Sequence, residues 1–418
     1  MPSDLASHSD HHSSRSGPAT VALVGAEFGW GSSGKLSAVL SALRDRPTPP
    51  LRFVGLASGL GRPLLAEHAV DAWHDLPADP GRLAPAVEEF VRSQGVRAAV
   101  VVLDGAAATA LLAAGVPTVF VDSLPFLWSE GDRAALPLDA TVYCAQKSVE
   151  LPPECLDVLA DARALRWVEA VIAAPRGPDP ATGHRRAGPR RPYRRALVSL
   201  GGLRAPTLGD PEHYPRLVVP AALEALAAHG VEEVHIAGNL PAELAGRLVD
   251  ESVAPPRTTT GPLGHGAFLE RLADSDVLLT SPGLTTLLEA GGLRVPTVCL
   301  PPQNLSQIFN GRYHGQALGA PLRVLWPKDV LVEEEALALR SEGEDHALEL
   351  IYDSIGRAAL GADRPAVRHA LRDGVLAALR RSTAVDDWGA LTTAVGTGGA
   401  VQVADALLGV LAAPDRPV

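Results

Sequence analysis

The stretch "SPGLTTLLEAGGLRVPTVCLPPQNLSQIFN", residues 281–310, carries the densest pattern in the chain. It follows the buried run "DVLLT" (276–280), so it opens at a strand end, turns at Pro282-Gly283 and enters a helix near Leu284. A helix start leaves backbone N–H groups without intrahelical partners and carries the positive end of the helix dipole, a setting that favours a diphosphate. Ser281, Gly283, Leu284, Thr285 and Thr286 are therefore candidate diphosphate-site residues, the two threonines adding hydroxyls. Glu289 lies about one turn further in, where a carboxylate can accept both hydroxyls of a ribose. The plainer reading of Glu289 is a solvated helix residue, although Leu287, Leu288 and Ala290 flank it. The loop "PPQNLSQ" adds Gln303, Asn304 and Gln307, amides suited to sugar hydroxyls.

Outward from this stretch, apolar runs alternate with helical patterns, the signature of βαβ units and parallel sheets covered on both faces. Expected strands in the first half are 20–25, 51–57, 98–104, 117–123, 140–145 and 164–174; in the second they are 196–202, 231–239, 276–283 and 296–301. Residues 176–195, rich in Pro, Gly and Arg, break the rhythm and read as a linker. The expectation is an α/β chain with a polar tail (1–18), an N-terminal domain (19–175), the linker, a C-terminal domain (196–330) and a helical segment (331–418). Its two Rossmann-like parallel-sheet domains would face each other across a ligand cleft.

The first strand leads into "GAEFGWGSSGKLSA" (25–38), where Gly29-x-x-x-x-Gly34-Lys35 imitates a phosphate loop of nucleotide hydrolases. Such a loop needs Ser or Thr directly after its lysine to ligate magnesium. Leu36 stands there, with Ser37 about 100° further round the helix. Asp104 at the end of "AAVVVLD" imitates the second hydrolase motif, but an acid at a strand end is common. The glycines instead allow a sharp turn and close approach to a substrate. Gly29, Trp30 and Gly31 are the expected substrate contacts of this loop, with Trp30 either stacking on a planar substrate or packing in the core. Glu27 is the first candidate for a catalytic base and Asp122, at the end of "PTVFVD", the second.

The pattern Gly283-x-x-Thr286-x-x-Glu289, followed by Pro296, Pro301 and Gln303, resembles the donor-site signature of MurG-like glycosyltransferases with the two-domain GT-B fold. "ALVSLGG" (196–202) is similar to that family's second glycine loop, and "ADSDVLLTSPG" (273–283) is also family-like. The likeness spans about residues 20–320. It implies that Glu289 binds the nucleotide ribose, that Gly201 and Gly202 lie beside the diphosphate, and that Gln303 and Gln307 meet the donor sugar. The first loop departs from the lipid II enzyme: it lacks "GGTGGH", so no catalytic histidine carries over. With "GLASGLGRPLL" (55–65), it resembles instead the "FGWGS-GKL" stretches of cytosylglucuronate synthase-like proteins. Those enzymes join cytosine or hydroxymethylcytosine to glucuronate from UDP-glucuronate in nucleoside-antibiotic pathways.

The resemblance implies an inverting transfer to a pyrimidine ring nitrogen, a UDP-sugar donor, no metal and no other cofactor. Arg204 and Arg62 are candidates for the glucuronate carboxylate. Asp274-x-Asp276 imitates a metal-binding pair but precedes its strand, so a structural role is expected. UDP-sugar 2-epimerases share the fold and need no acceptor; a non-catalytic sugar-nucleotide sensor is a further alternative.

Composition narrows the classes. The formal net charge of −11 over 418 residues speaks against nucleic acid as a partner. Only Lys35, Lys147 and Lys328 among the 37 basic residues are lysines. Cys144, Cys155 and Cys299 are scattered without metal-ligand spacing, which fits a reducing, cytoplasmic setting. The first 18 residues hold no apolar core of a signal peptide, and His8, His11 and His12 fall in that polar tail. No stretch is expected to span a membrane. A homodimer is a further candidate partner state.

Overall fold

A computed structural model describes residues 17–57, 59–77, 79–173, 193–205, 209–342 and 344–413. The first sheet has seven strands: β1 (Ala19–Gly25), β2 (Leu51–Leu56), β3 (Val70–His74), β4 (Val96–Val102), β5 (Thr118–Asp122), β6 (Val142–Gln146) and β7 (Leu165–Val168). They are ordered β3-β2-β1-β4-β5-β6-β7, every pair parallel. The second has five: β8 (Arg195–Gly201), β9 (Glu233–Gly238), β10 (Arg257–Thr260), β11 (Val277–Thr280) and β12 (Thr297–Cys299), ordered β10-β9-β8-β11-β12 and again parallel. This is the two-domain, doubly wound α/β architecture that the alternating pattern predicts.

The central strands follow from their sequences. Val21, Ala22, Leu23 and Val24 are at most 2% exposed, because β1 lies between β2 and β4 with helices on both faces. Edge strands escape that pattern. "VDAWH" and "RTTT" have too few apolar residues to read as strands, and both border a sheet.

The expected strand 164–174 shortens to β7. Residues 169–173 leave the sheet edge, and the backbones of Ala170 and Gly399 pair with each other's surroundings: Ala170 N–H donates to Gly396 O (3.3 Å) and Gly399 N–H to Ala170 O (3.2 Å). Residues 176–192 of the linker reading, residues 174–175 before it and residues 1–16 of the tail lie outside the described residues.

The C-terminal helices divide between the domains. Helices Glu344–Leu360 and Arg364–Ser382 pack on the long helix His213–His229 of the second domain. Helix Gly399–Ala412 crosses back and buries Val403, Ala404 and Leu407 against Val39, Leu43 and Val100 of the first. One expectation is corrected here. Residues 390–412 do reach the length and mean hydropathy of a membrane span (23 residues, 1.5). Gly396, with φ +88°, breaks them into helices Ala390–Val395 and Gly399–Ala412, whose apolar faces lie against the protein.

Candidate functional site

Because every strand in each sheet is parallel, the loops at their C-terminal ends gather on one side, the usual place for a ligand. Here the two sets face each other around a cavity of about 310 Å³. The backbone turns sharply where strands feed it: Gly29 (φ 67°), Gly201 (φ 70°), Leu103 (φ 61°) and Leu203 (φ 49°) are all left-handed. A branched aliphatic side chain rarely adopts that conformation, so Leu103 and Leu203 mark loops held in place by their surroundings. The two glycine loops touch. A Cβ on Gly202 would lie 2.7 and 2.8 Å from the carbonyl carbon and Cα of Gly29, and Gly29 N–H donates to Arg204 O at 3.1 Å. Glycine is required there for close approach.

The first turn of the helix that follows the first loop, Gly31–Arg44, lies against Thr285 at the start of helix Leu284–Gly292. Between them the Lys35 ammonium donates to the Thr285 hydroxyl. Lys35 is 2% exposed, and burial lowers its pKa from 10.5 to about 8 against the pull of Glu289. Two helix N-termini and one buried cation thus converge on one point of the cavity wall.

Glu289 is also buried, at 4% exposure. It accepts from His265 Nε2 at 2.7 Å, and His265 Nδ1 meets the Ser37 hydroxyl at 2.8 Å, itself 2.7 Å from His68 Nε2. Burial disfavours the imidazolium, but the adjoining Glu289 carboxylate, with Glu67 further off, holds the His265 pKa above its usual value. The expected ribose ligand is therefore oriented by a histidine from helix His265–Asp274. The hydrolase imitation dissolves in the same geometry. Ser37 is engaged with these histidines, and Asp104 caps helix Gly105–Ala113 through Ala107 N–H (2.9 Å).

The amide loop is built as much as it is free. Asn304 caps helix Leu305–Leu318 through Gln307 N–H (2.9 Å), and Gln307 Oε1 accepts from Gln303 N–H (2.9 Å). Gln303 Nε2 donates to Ser281 Oγ at 3.2 Å, and Tyr214 OH lies 3.1 Å from the same hydroxyl. Asn310, absent from the sequence expectations, donates to Pro282 O at 2.9 Å while its buried Oδ1 has no partner among the described residues. The candidates Gly29, Trp30, Gly31, Gly201, Gly202, Arg204, Ser281, Gly283, Leu284, Thr285, Thr286, Glu289, Gln303, Asn304 and Gln307 all line this one cavity.

The two candidate bases do not line it. Asp122 is wholly buried, and its oxygens accept from Leu124 N–H (3.0 Å), Trp128 Nε1 (2.6 Å) and Tyr143 OH (2.9 Å). Burial pushes its pKa up to about 6, and its side chain presents no surface to the cavity. The Glu27 carboxylate accepts Gly59 N–H (3.3 Å) and Leu60 N–H (3.1 Å), and Leu60 O in turn accepts from Trp30 Nε1 (3.1 Å). Glu27 is therefore tied to the backbone that also holds Trp30. Glu27→Gln, which places an amide donor against one of those N–H groups, should raise the acceptor KM severalfold with a smaller fall in kcat. Steady-state kinetics over acceptor concentration would check this, and a pure kcat loss would contradict it.

Arg62 also leaves the site: it donates to Ala57 O (2.8 Å), pairs with Asp75 and covers the Trp73 ring. Asp276 pins the start of β8 by accepting Arg194 and Arg195 N–H at 3.0 and 2.9 Å. Among the described residues no three His, Cys, Asp or Glu side chains are grouped to hold a metal ion.

Sequence reasoning missed several residues that line the cavity. Phe28, Leu124, Leu127 and Trp128 from the first domain line it, as do Glu344 and Tyr352 from the C-terminal helix Glu344–Leu360. Arg340 fastens that segment across the cleft by donating to Leu127 O (3.0 Å) and Trp128 O (3.3 Å).

No family model and no curated protein sequence matches the chain. Solved structures do. The UDP co-structure of S. aureus MnaA superposes with a TM-score of 0.54 at 10% identity, covering 92% of this chain and 94% of that one. A Listeria monocytogenes protein assigned as a UDP-N-acetylglucosamine 2-epimerase gives 0.54 at 14%, with 96% and 98% covered. A UDP-glucosyltransferase from Polygonum tinctorium that glucosylates indoxyl gives 0.52 at 15%, with 96% and 100% covered. At these identities the likeness establishes the architecture, and the chain has the GT-B fold.

Proposed function

We propose that the chain is a UDP-sugar-dependent inverting glycosyltransferase that moves glucuronate from UDP-glucuronate to a ring nitrogen of cytosine or hydroxymethylcytosine. The observation that carries the nucleotide part is the meeting of two helix starts over Lys35 and Thr285, one turn from a Glu289 held by His265. In this reading the diphosphate lies against the free N–H groups and the Lys35 ammonium, and Glu289 takes the ribose hydroxyls. The fold neighbours that hold UDP or act on UDP-sugars support it. Chemistry follows from that placement. The acceptor nitrogen attacks the anomeric carbon from the face opposite UDP, inverting an α-linked donor to a β N-glycoside. Negative charge growing on the leaving diphosphate is met by groups already aimed at it, so the reading calls on no metal. A cytoplasmic location belongs to the same proposal.

The 2-epimerase reading shares the donor end. The apolar and aromatic lining of Leu124, Leu127 and Trp128 favours transfer, because an epimerase has no acceptor to seat. A thermal-shift panel of UDP-glucuronate, UDP-GlcNAc, UDP-glucose, dTDP-sugars and ATP, with and without cytosine, tests the proposal. UDP-glucuronate should stabilise most, since the shift follows ligand concentration over Kd. Incubation of a UDP-sugar alone, yielding an epimer and no UDP, would overturn transfer.

Arg204 is the one arginine among the described residues lining the cavity, and its side chain is exposed at the rim. Arg204→Ala should raise the KM for UDP-glucuronate about tenfold, a charge-assisted contact at the rim being worth roughly 1.5 kcal/mol, and leave UDP binding unchanged. Equal losses for UDP-glucuronate and UDP would remove Arg204 from carboxylate recognition.

A further inference from the structure

We propose that Glu344, brought to the cleft by the C-terminal helices, takes the proton from the acceptor, and that the acceptor is a flat, uncharged N–H heterocycle seated against Trp128. This inference rests on the transferase reading above and adds the group that the reading lacks, a base in the cavity.

Four acids bear on the choice. Asp122 is enclosed by three donors, Glu27 serves the backbone of residues 59 and 60, and Glu289 is held by His265. Glu344 alone lines the cavity with no hydrogen bond or ion pair to any described residue. Its surroundings are acidic. Asp345 follows it in the chain, and Asp132, on the short turn Glu130–Ala135, faces it from the first domain with its own carboxylate bound to Ser129. Tyr352 lies two turns on along the same helix and also lines the cavity. Arg340 does not neutralise Glu344: its guanidinium is committed to Leu127 O, Trp128 O and Glu154. Burial first, and the Asp132 and Asp345 charges second, push the Glu344 carboxyl up to about 7. A group with that affinity accepts a proton near neutral pH and releases it again.

The walls decide the class of acceptor. Leu124, Leu127 and Trp128 give apolar and aromatic surface, which suits a planar ring and suits a charged or polyhydroxylated one poorly. In the step, the ring nitrogen forms its bond to the anomeric carbon as the carbon–oxygen bond to UDP breaks, the electron pair leaving on the diphosphate. The proton of that nitrogen passes to Glu344 and afterwards to water.

Transfer from UDP-glucuronate to cytosine is measured against pH for the native chain, Glu344→Gln and Glu344→Asp, with UDP affinity by calorimetry on the same samples. In the native chain kcat should rise through about pH 7 to a plateau. Glu344→Gln should lose about a hundredfold in kcat and lose that limb, with UDP affinity within about twofold of native, which also shows that it is folded. Glu344→Asp should keep the limb at reduced rate. Native kcat in the Gln variant, or a limb that survives there, overturns the proposal. A native chain that binds UDP yet glycosylates neither cytosine nor hydroxymethylcytosine overturns it as well. A native chain that binds no UDP overturns the underlying transferase reading instead.

Discussion

UDP is expected to bind a Glu289→Ala variant about a hundredfold more weakly than it binds the native chain. The carboxylate would accept two ribose hydroxyls, and hydrogen bonds to a charged acceptor contribute about 1.5–3 kcal/mol each; the low end of that range corresponds to about two decades in Kd. Lost affinity alone would not separate recognition from damage, because the substitution also strands a buried histidine. His265 has a raised pKa through Glu289, so the stabilising contribution of their pairing is complete below the ordinary histidine value and fades as pH rises through the raised one. The variant should therefore lose most stability under mildly acid conditions. The sharper measurement is discrimination. The native chain should bind UDP more tightly than 2′-deoxy-UDP by calorimetry, and Glu289→Ala should bind the two alike. Equal affinities in the native chain would discard the ribose assignment, whatever the variant does.

Glu289 was legible because it follows a glycine turn by one helical turn inside a single unbroken segment, so local geometry suffices to place it. The same holds for β1, β4, β8 and β11, whose buried parallel runs read as strands without any partner being known. Glu344 and His265 were not legible. Each sits near a helix start that looks like solvated surface; only the packing of helix His265–Asp274 on helix Leu284–Gly292 brings His265 to Glu289, and only the return of the C-terminal helices brings Glu344 to the cavity that Trp128 also lines. Asp122 failed in the opposite sense. An acid closing the run "PTVFVD" looks available, and nothing local reveals that Trp128 and Tyr143 will enclose it. Lys35 lay between the two cases: the spacing drew attention to it, and Leu36, standing where a hydrolase loop has Ser or Thr, spoke against that motif. Its true partner is a threonine 250 residues away.

Lys35→Met is expected to separate stability from binding, raising the first and lowering the second. Holding an ammonium at 2% exposure lowers its pKa from 10.5 to about 8, a cost on the order of 3 kcal/mol in the empty protein. Since the unfolded chain binds that proton more readily, the cost is complete below about pH 8 and shrinks as pH climbs toward 10.5. Methionine fills similar space without a charge, so the empty variant should melt higher than the native chain at pH 7, partly offset because Glu289 loses a nearby cation. Binding should move the other way. A diphosphate between two helix starts needs the ammonium, and loss of one buried charge-assisted contact should weaken UDP by about a hundredfold. The native chain carries a further mark of this role. Near pH 8 part of the lysine is neutral, so UDP binding should draw in a proton, visible as a buffer-dependent heat in calorimetry, and affinity should fall as pH passes that value. Lys35→Met should show neither effect. A variant that binds UDP with native affinity, or a native chain whose binding ignores pH between 7 and 9, would place the diphosphate elsewhere; the buried lysine would then act only as a strut between the domains.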